Sequence, residues 1–192
     1  WGTNDSDNIY MKHKKWSNWK QIPGKLKQVS VDSETNRVYG VNSSGKIFYR
    51  GLNKSPLPRF LRRRSEWVTC SGSSNNICAL GKGYIWSIGS DKIAYYAKKP
   101  FNRNHRWTKK GPLANLINLT ADYKYVYGLT SNGEIYRASV MGNSDWVKIL
   151  TSNNARQIHA GANYFYVTLN NDQVYRLDKN FKTVKAVSYT HL

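Results

Sequence analysis

Residues 39–48, Tyr-Gly-Val-Asn-Ser-Ser-Gly-Lys-Ile-Phe, contain the pattern that decides the fold. It consists of an aromatic–Gly step, a polar turn, and then a β-branched residue followed by an aromatic one. Variants begin at residues 1, 86, 127 and 166, so the copies recur about every 40 residues. A repeat of this length is one supersecondary unit that cannot bury its own apolar face. The copies must therefore stack on one another.

The repeat is clearest over residues 19–50, where it predicts four short antiparallel strands. Residues 26–31 alternate between apolar and polar side chains, as a half-buried strand does. The turn Ser43-Ser44-Gly45 tolerates the positive φ of a tight hairpin. A short strand after Trp19 and two strands on either side of that turn complete the unit. No window of the sequence has a helical period.

Four-stranded antiparallel units at this spacing are typical of the blades of a β-propeller. The strands that follow Trp19, Trp67, Trp107 and Trp146 are expected to open successive blades, and Phe181 one more. We therefore predict a single all-β domain over residues 1–192, with five visible blades, one of them split between the chain termini. The predicted blade segments are 1–18, 19–66, 67–106, 107–145, 146–177 and 178–192.

The repeat resembles the tectonin repeat, found in fish-egg lectins, lipopolysaccharide-binding tachylectins and other innate-immunity or egg proteins. The match covers nearly the whole chain and is strongest over residues 19–50 and 107–137. In the copy over 67–96, Trp86-Ser87 replaces the aromatic–Gly step and the turn reads as one residue shorter, so that Ile93 aligns with Ile47. In the last copy, Val167 replaces the Gly. Known members often have six blades, so the resemblance leaves open that a sixth completes the ring.

The resemblance implies a secreted propeller that binds N-acetylated or lipopolysaccharide sugars in crevices between blades. An exposed aromatic ring would stack on the C–H face of a sugar, and neighbouring polar groups would bond its hydroxyls. The dipeptides Tyr49-Arg50, Tyr136-Arg137 and Tyr175-Arg176 end strands in the same way, so they fit either a repeated binding pocket or a repeated structural cap. The aromatics equally fit packing between blades, and the asparagines fit a structural role in the hairpin turns. The carbohydrate-binding candidates are Asn42, Tyr49, Arg50, Trp86, Asn132, Tyr136, Arg137, Asn170, Tyr175 and Arg176.

The chain is strongly basic, with 30 Lys and Arg against 11 Asp and Glu, and a formal net charge of +19. Many of these cations fall in the connections between repeats, which an antiparallel meander places on one rim. Such a rim would attract polyanions or anionic surfaces, although a merely solvated basic surface fits the same composition. The polyanion-binding candidates are Lys12, Lys14, Lys15, Arg59, Arg62, Arg63, Arg64, Lys98, Lys99, Arg103 and Arg106.

Catalysis and metal binding find little support in the sequence. No nucleophile elbow, Walker loop, dinucleotide fingerprint or metal-ligand spacing occurs, so we expect no catalytic residue and no cofactor. Few carboxylates also argue against calcium in the central channel. Cys70 and Cys78 fit either a disulfide between adjacent strands or two buried thiols. No apolar run is long enough to span a bilayer.

Two functions remain open at this point. The first is a secreted, non-enzymatic lectin that recognises N-acetylated or lipopolysaccharide-type glycans in extracellular defence. The alternative is a structural or protein-interaction propeller whose basic face binds a polyanion or a partner chain. A nucleic-acid role ranks third, because no recognised nucleic-acid module accompanies the charge.

Overall fold

The computed structural model describes residues 1–13, 15–52, 66–80, 82–101, 104 and 106–187, with the side chains of 184–187 excepted. The regular elements of these residues are strands, and they form five antiparallel sheets. No helix capable of crossing a membrane occurs in this part of the chain. The predicted all-β propeller with five blades is therefore confirmed.

Each sheet is a meander whose strands pair in chain order. The first sheet has three strands and each of the others has four. Their bounds are β1 Gly2–Thr3, β2 Asn8–Met11 and β3 Lys20–Lys25; β4 Gln28–Asp32, β5 Arg37–Val41, β6 Lys46–Gly51 and β7 Val68–Ser73; β8 Asn76–Cys78, β9 Tyr84–Ile88, β10 Ala94–Lys98 and β11 Thr108–Lys110; β12 Leu116–Ala121, β13 Tyr125–Thr130, β14 Glu134–Ser139 and β15 Val147–Thr151; β16 Ala155–Ala160, β17 Phe165–Leu169, β18 Val174–Leu177 and β19 Thr183–Val187.

The predicted blade boundaries are displaced by one strand. The strands that follow the repeated Trp residues (β3, β7, β11 and β15) pair with the preceding strand and close the previous sheet, instead of opening the next. The last strand, β19, pairs with β18 and completes the fifth sheet. Among the described residues, the first and last segments belong to different sheets, and no strand of one pairs with a strand of the other; residues 188–192, which the split blade would also use, lie outside the described residues.

The apolar core lies between consecutive sheets rather than within any one of them. Four clusters of buried side chains fill the interfaces, each with members from both neighbouring sheets. Tyr39 and Trp86 are fully buried in two of these clusters. Each sheet thus buries its face only because the next sheet covers it, as the repeat requires.

Polar side chains on the inner strands join each sheet to the next. Gln28 Nε2 donates to the carbonyl of Ile77 over 3.0 Å, and its Oε1 accepts from the Ile77 N–H over 2.8 Å. Asn118 Oδ1 accepts from the Ile158 N–H over 2.9 Å, and Asn76 Oδ1 accepts from the N–H of Leu119 over 3.2 Å. These bonds satisfy backbone groups on the edge of the neighbouring inner strand, which would otherwise be buried unpaired.

The connections divide into two rims. We call the end that carries the β5–β6, β9–β10, β13–β14 and β17–β18 hairpin turns the turn rim. The opposite end, which carries the β4–β5, β8–β9, β12–β13 and β16–β17 loops and the connections into β3, β7, β11, β15 and β19, is the linker rim. Backbone hydrogen bonds tie these two sets of linker-rim loops together, for example from Lys99 N to Gly83 O and from Val140 N to Lys124 O.

A buried ion pair braces the linker rim between the second and third sheets. Lys99 Nζ lies 2.9 Å from Asp32 Oδ1, and the two side chains are 3% and 1% exposed. The ammonium also donates to Ala79 O and to Glu34 Oε2. Lys179 Nζ makes the related contact to Asp122 Oδ2, over 3.3 Å, between the fourth and fifth sheets.

We predict that Asn118→Leu destabilises the fold by about 1–3 kcal/mol, because the Ile158 N–H would be left buried without an acceptor. The measurement is the free energy of unfolding in urea. Gln157→Leu is the matched control, since Gln157 has the same register position in the fifth sheet but is exposed. Equal losses in the two variants would contradict the proposed role of Asn118.

Lys99→Met should cost about 3–5 kcal/mol of unfolding free energy, because it leaves the Asp32 carboxylate buried without its cation. Lys98→Met removes the same charge from the adjacent, exposed position and should change stability by less than about 0.5 kcal/mol. Thermal or urea unfolding of both variants tests this; a small effect at Lys99 would show that the pair contributes little.

Candidate functional site

One aromatic position repeats in every sheet, on the face opposite the following sheet. The strand register aligns Phe48, Tyr136 and Tyr175 opposite Gly40, Gly128 and Val167. Tyr10 and Tyr95 occupy the same place in the first and third sheets. Because side chains alternate along a strand, all five residues point away from the following sheet. At this position, Tyr95 and Tyr175 line crevices between sheets, and Tyr10 lines a hollow on the first sheet.

A polar crevice lies between the second and third sheets. It has a volume of about 330 Å³ and is lined by Ser73, Ser87, Gly89, Ser90, Asp91, Tyr95 and Trp107. Two aromatic rings together with serine hydroxyls and a carboxylate are the groups that bind a sugar, by stacking and by hydrogen bonding. A volume of this order accommodates a small ligand.

Glycine at position 89 makes room for this crevice. A Cβ there would lie 2.7 Å from Asp91 Oδ1 and 2.8 Å from Tyr95 Cε2, both too close for real contacts. The corresponding turn positions of the other sheets hold larger residues, Asn42, Thr130 and Leu169. The missing side chain at Gly89 therefore leaves room for the Asp91 carboxylate and the Tyr95 ring to lie next to each other at the crevice.

The carboxylate of Asp91 is the electrostatic centre of the crevice. Its Oδ2 accepts a hydrogen bond from Tyr95 Oη over 2.8 Å and lies 3.5 Å from Lys109 Nζ. The hydrogen bond from Tyr95 is the main cause that lowers the pKa of Asp91, and the same bond raises the pKa of Tyr95. Asp91 is therefore ionised at neutral pH and offers acceptors to hydroxyl groups.

A tyrosine hydroxyl paired with a turn acceptor recurs in the last two sheets. Tyr136 Oη donates to Glu134 Oε2 over 3.0 Å, and Glu134 also contacts Lys148. Tyr175 Oη donates to Gln173 Oε1 over 3.4 Å. Tyr175 lines an apolar crevice of about 280 Å³ between the fourth and fifth sheets. A further hollow of about 380 Å³ on the first sheet is lined by Gly2, Thr3, Asn4, Tyr10 and Trp19.

The sequence-based candidates Tyr136 and Tyr175 occupy the repeated aromatic position, but the dipeptide that defined them does not repeat as expected. Register pairs Tyr49 with Tyr39, and Arg137 with Tyr127. Tyr49 is thus equivalent to Arg137 and Arg176, and faces the opposite side of its sheet from Tyr136. The equivalence of Tyr49-Arg50 with Tyr136-Arg137 is wrong by one residue, which reverses the face.

Two arginine candidates pack on tyrosine rings away from the crevices. The guanidinium carbon of Arg137 lies 4.7 Å from the Tyr125 ring centre, and that of Arg176 lies 4.4 Å from the ring centre of Tyr164. Arg50 is half-buried, and burial lowers its pKa. These contacts give the arginines a structural role within their own sheets.

Trp86 is too deeply buried to contact a ligand, so its assignment to carbohydrate binding is wrong. Its side chain is fully buried, and its indole N–H donates to Val140 O over 2.9 Å. The turn in this repeat is also not shorter: Ala94 pairs with Ile88 as Ile47 pairs with Val41, with five residues between in each case.

The three asparagine candidates occupy different positions of their turns. Asn42 Oδ1 accepts from the Lys46 N–H over 2.8 Å and from Ser44 Oγ, so it stabilises its own turn. Asn132 contacts Thr130 within the turn and is exposed. Asn170 is exposed, and its backbone N–H bonds Asn154 O.

The basic candidates separate into an exposed group and one buried residue. Lys12, Lys15, Lys98 and Arg106 are exposed on the linker rim. The assignment of Lys99 to polyanion binding is wrong, because its ammonium is buried against Asp32. The remaining candidates lie outside the described residues: Lys14, Arg59, Arg62, Arg63, Arg64 and Arg103.

The two cysteines are free thiols. Cys70 lies on β7 of the second sheet and Cys78 on β8 of the third, in separate core clusters. Of the two readings of the sequence, the structure supports buried thiols. Burial raises the pKa of Cys78 to about 11, so its thiolate is scarce at neutral pH.

We therefore predict that neither cysteine reacts with a thiol reagent such as dithionitrobenzoate in the folded protein, because both are buried and the reactive thiolate is disfavoured. Unfolding in guanidinium without reductant should release both thiols, as followed by absorbance. Rapid modification of the native protein, or no free thiols after unfolding, would contradict the assignment.

The repeated sheets and the crevices between them define a β-propeller, and a comparison with protein families places the chain within one family of these proteins. The model of the tectonin domain matches residues 1–192, so the chain belongs to the tectonin family. Members of this family are generally non-enzymatic. A search of curated proteins gives no significant match.

Solved structures support the fold. Human WBSCR16 superposes with a TM-score of 0.56 at 11% identity, covering 85% of this chain and 51% of that one. A chain of the nidogen/laminin complex gives 0.57 at 13%, covering 88% and 83%. A chain of the complex of Kap60 with yeast RCC1 (Prp20) gives 0.50 at 10%, covering 83% and 46%. The chain thus spans about half the length of WBSCR16.

Sequence reasoning missed the residues of the polar crevice. Tyr95 was hidden because the repeat was aligned on Ile93, although strand pairing aligns Ala94 with Ile47. Ser73 ends β7 and Trp107 directly precedes β11, so the two residues come from the outer edges of two different sheets. A correct alignment of the five aromatic positions would have found Tyr95, but no local pattern indicates that Ser73 joins it.

Proposed function

We propose that this chain is an extracellular, non-enzymatic lectin that binds carbohydrate at the turn rim, with the crevice between the second and third sheets as its main site. The observation that carries the proposal is the pairing of Tyr95 with the ionised Asp91 beside serine hydroxyls and Trp107. N-acetylated sugars and lipopolysaccharide-type glycans are the ligand class that the family resemblance favours.

The chemistry of the crevice suits a neutral sugar better than an anionic one. Asp91 would accept hydrogen bonds from ring hydroxyls, and an anionic group placed there would be repelled by the carboxylate. Ser73 and Ser90 offer hydroxyls that both donate and accept, which matches the mixed pattern of a sugar edge. The ring face of Tyr95 or Trp107 would stack on the apolar C–H face of the sugar.

Asp91→Asn should weaken glycan binding by roughly tenfold, because hydrogen bonds to a charged acceptor contribute about 1.5–3 kcal/mol. A glycan array followed by titration calorimetry on the best sugar measures the effect. Asp5→Asn, an exposed acidic residue in the hairpin turn of the first sheet, is the matched control and should bind normally.

Binding should also persist as the pH falls through the ordinary carboxylate range and weaken only below it, since the pKa of Asp91 is lowered and protonation removes the charged acceptor. An array on which the wild-type protein binds no glycan at low salt would overturn the proposal. Binding that Asp91→Asn and Tyr95→Ala leave unchanged would move the site away from this crevice.

The alternative function, a propeller that serves as a platform for a partner chain or a polyanion, is favoured by the exposed lysines of the linker rim. It predicts that the protein purifies in a fixed stoichiometric assembly and does not respond to sugars. Size-exclusion chromatography with light scattering, in the presence and absence of the best sugar, distinguishes it from the lectin.

A further inference from the structure

Three exposed apolar side chains project from connections of the linker rim. Leu80 follows β8 and is 39% exposed, Tyr123 lies in the β12–β13 loop and is 76% exposed, and Met141 lies between β14 and β15 and is 55% exposed. Large apolar side chains at loop tips gain free energy when another surface removes them from water. We call these three residues the apolar tips.

Exposed lysines lie beside the apolar tips. Lys82 is two residues from Leu80, and Lys124 follows Tyr123 directly. Lys98 and the pair Lys12 and Lys15 lie on the same rim, and all five lysines are exposed. None of them forms an ion pair with another residue in the described part of the chain.

The acidic groups near these lysines have cations of their own. Asp32 and Glu34 are paired with Lys99, and Asp122 is paired with Lys179. Asp145 lies 3.9 Å from Lys110. These acids therefore do not neutralise the exposed lysines, and the electrostatic potential around the apolar tips is positive.

The arrangement suits a lipid surface better than a protein partner. A protein interface buries a contiguous apolar centre from which charged residues are depleted, whereas the apolar tips stand on three separate connections, two of them with a lysine close by. A bilayer accepts such a surface, because apolar side chains enter below the headgroups while lysines contact the phosphates. Tyrosine is favoured at this depth, since its ring is apolar and its hydroxyl polar.

We propose that the linker rim docks on the surface of an anionic lipid bilayer, with Leu80, Tyr123 and Met141 entering the headgroup layer and the neighbouring lysines bound to lipid phosphates. The turn rim, at the opposite end of the strands, then faces away from the membrane and stays open to solution. The inference does not depend on the proposed sugar site.

The first test compares flotation with vesicles of phosphatidylcholine alone and with vesicles that also contain phosphatidylglycerol. The wild-type chain should float only with the anionic vesicles, and less so at high salt. The double variant Lys82→Gln/Lys124→Gln should bind about 25-fold more weakly, since each lysine near such a surface contributes about 1 kcal/mol, or about fivefold. The control Lys27→Gln/Lys46→Gln, which removes two exposed lysines of the turn rim, should bind like wild type.

The second test separates a bilayer from a soluble polyanion. Leu80→Ser/Tyr123→Ser/Met141→Ser should lose roughly tenfold or more in vesicle affinity, because apolar area no longer enters the membrane, while its affinity for heparin stays unchanged. The lysine variant should lose affinity for both. Circular dichroism and the unfolding midpoint check that every variant remains folded.

Three outcomes would overturn the proposal. If the serine variant binds anionic vesicles as well as wild type does, or if wild type binds heparin but not vesicles, the rim is a surface for soluble polyanions. A third measurement uses Tyr123→Trp in an otherwise unchanged chain: the added indole emission should shift to shorter wavelength with anionic vesicles and not with heparin. No shift in vesicle-bound protein would place Tyr123 outside the membrane and would also sink the idea.

Discussion

The hydrogen bonds from polar side chains of one inner strand to the backbone of the next are the contacts on which the propeller depends. An inner strand has a neighbour in its own sheet on one side only, so its other edge presents unpaired N–H and C=O groups to the protein interior. Gln28, Asn76 and Asn118 share one register position and supply the missing partners. Apolar packing alone would bring the sheets together but would leave this edge unsatisfied.

The same register position shows that the burial of a side chain depends on whether another sheet follows. In the fifth sheet it is held by Gln157, which is exposed because no described sheet follows. Two residues further along the inner strands, a second register position holds Ser30, Cys78 and Thr120. Strand pairing places these three residues opposite Tyr39, Trp86 and Tyr127, respectively. A small polarisable thiol is tolerated at this place because burial keeps it protonated.

The two rims differ in chemistry because they are built from different connections. The turn rim consists of tight hairpins whose length is constant, so its side chains repeat and form similar crevices with different linings. The linker rim consists of longer connections that vary from sheet to sheet, and it has the exposed lysines and apolar tips. A glycan site at one end and a membrane-facing surface at the other would let one small domain contact two partners at once.

The repeat, the strand-rich composition and the positions of the hairpin turns were decided by the sequence alone, because spacing and turn residues are local properties. Register was not: a one-residue error at Tyr49 reversed its face, and an error at Ile93 hid Tyr95. Only the tertiary structure decided that Trp86 and Lys99 are buried and that Asp91 faces a crevice. The neighbouring sheet determines whether these side chains are exposed. The sequence of one repeat does not show how the next repeat will pack against it.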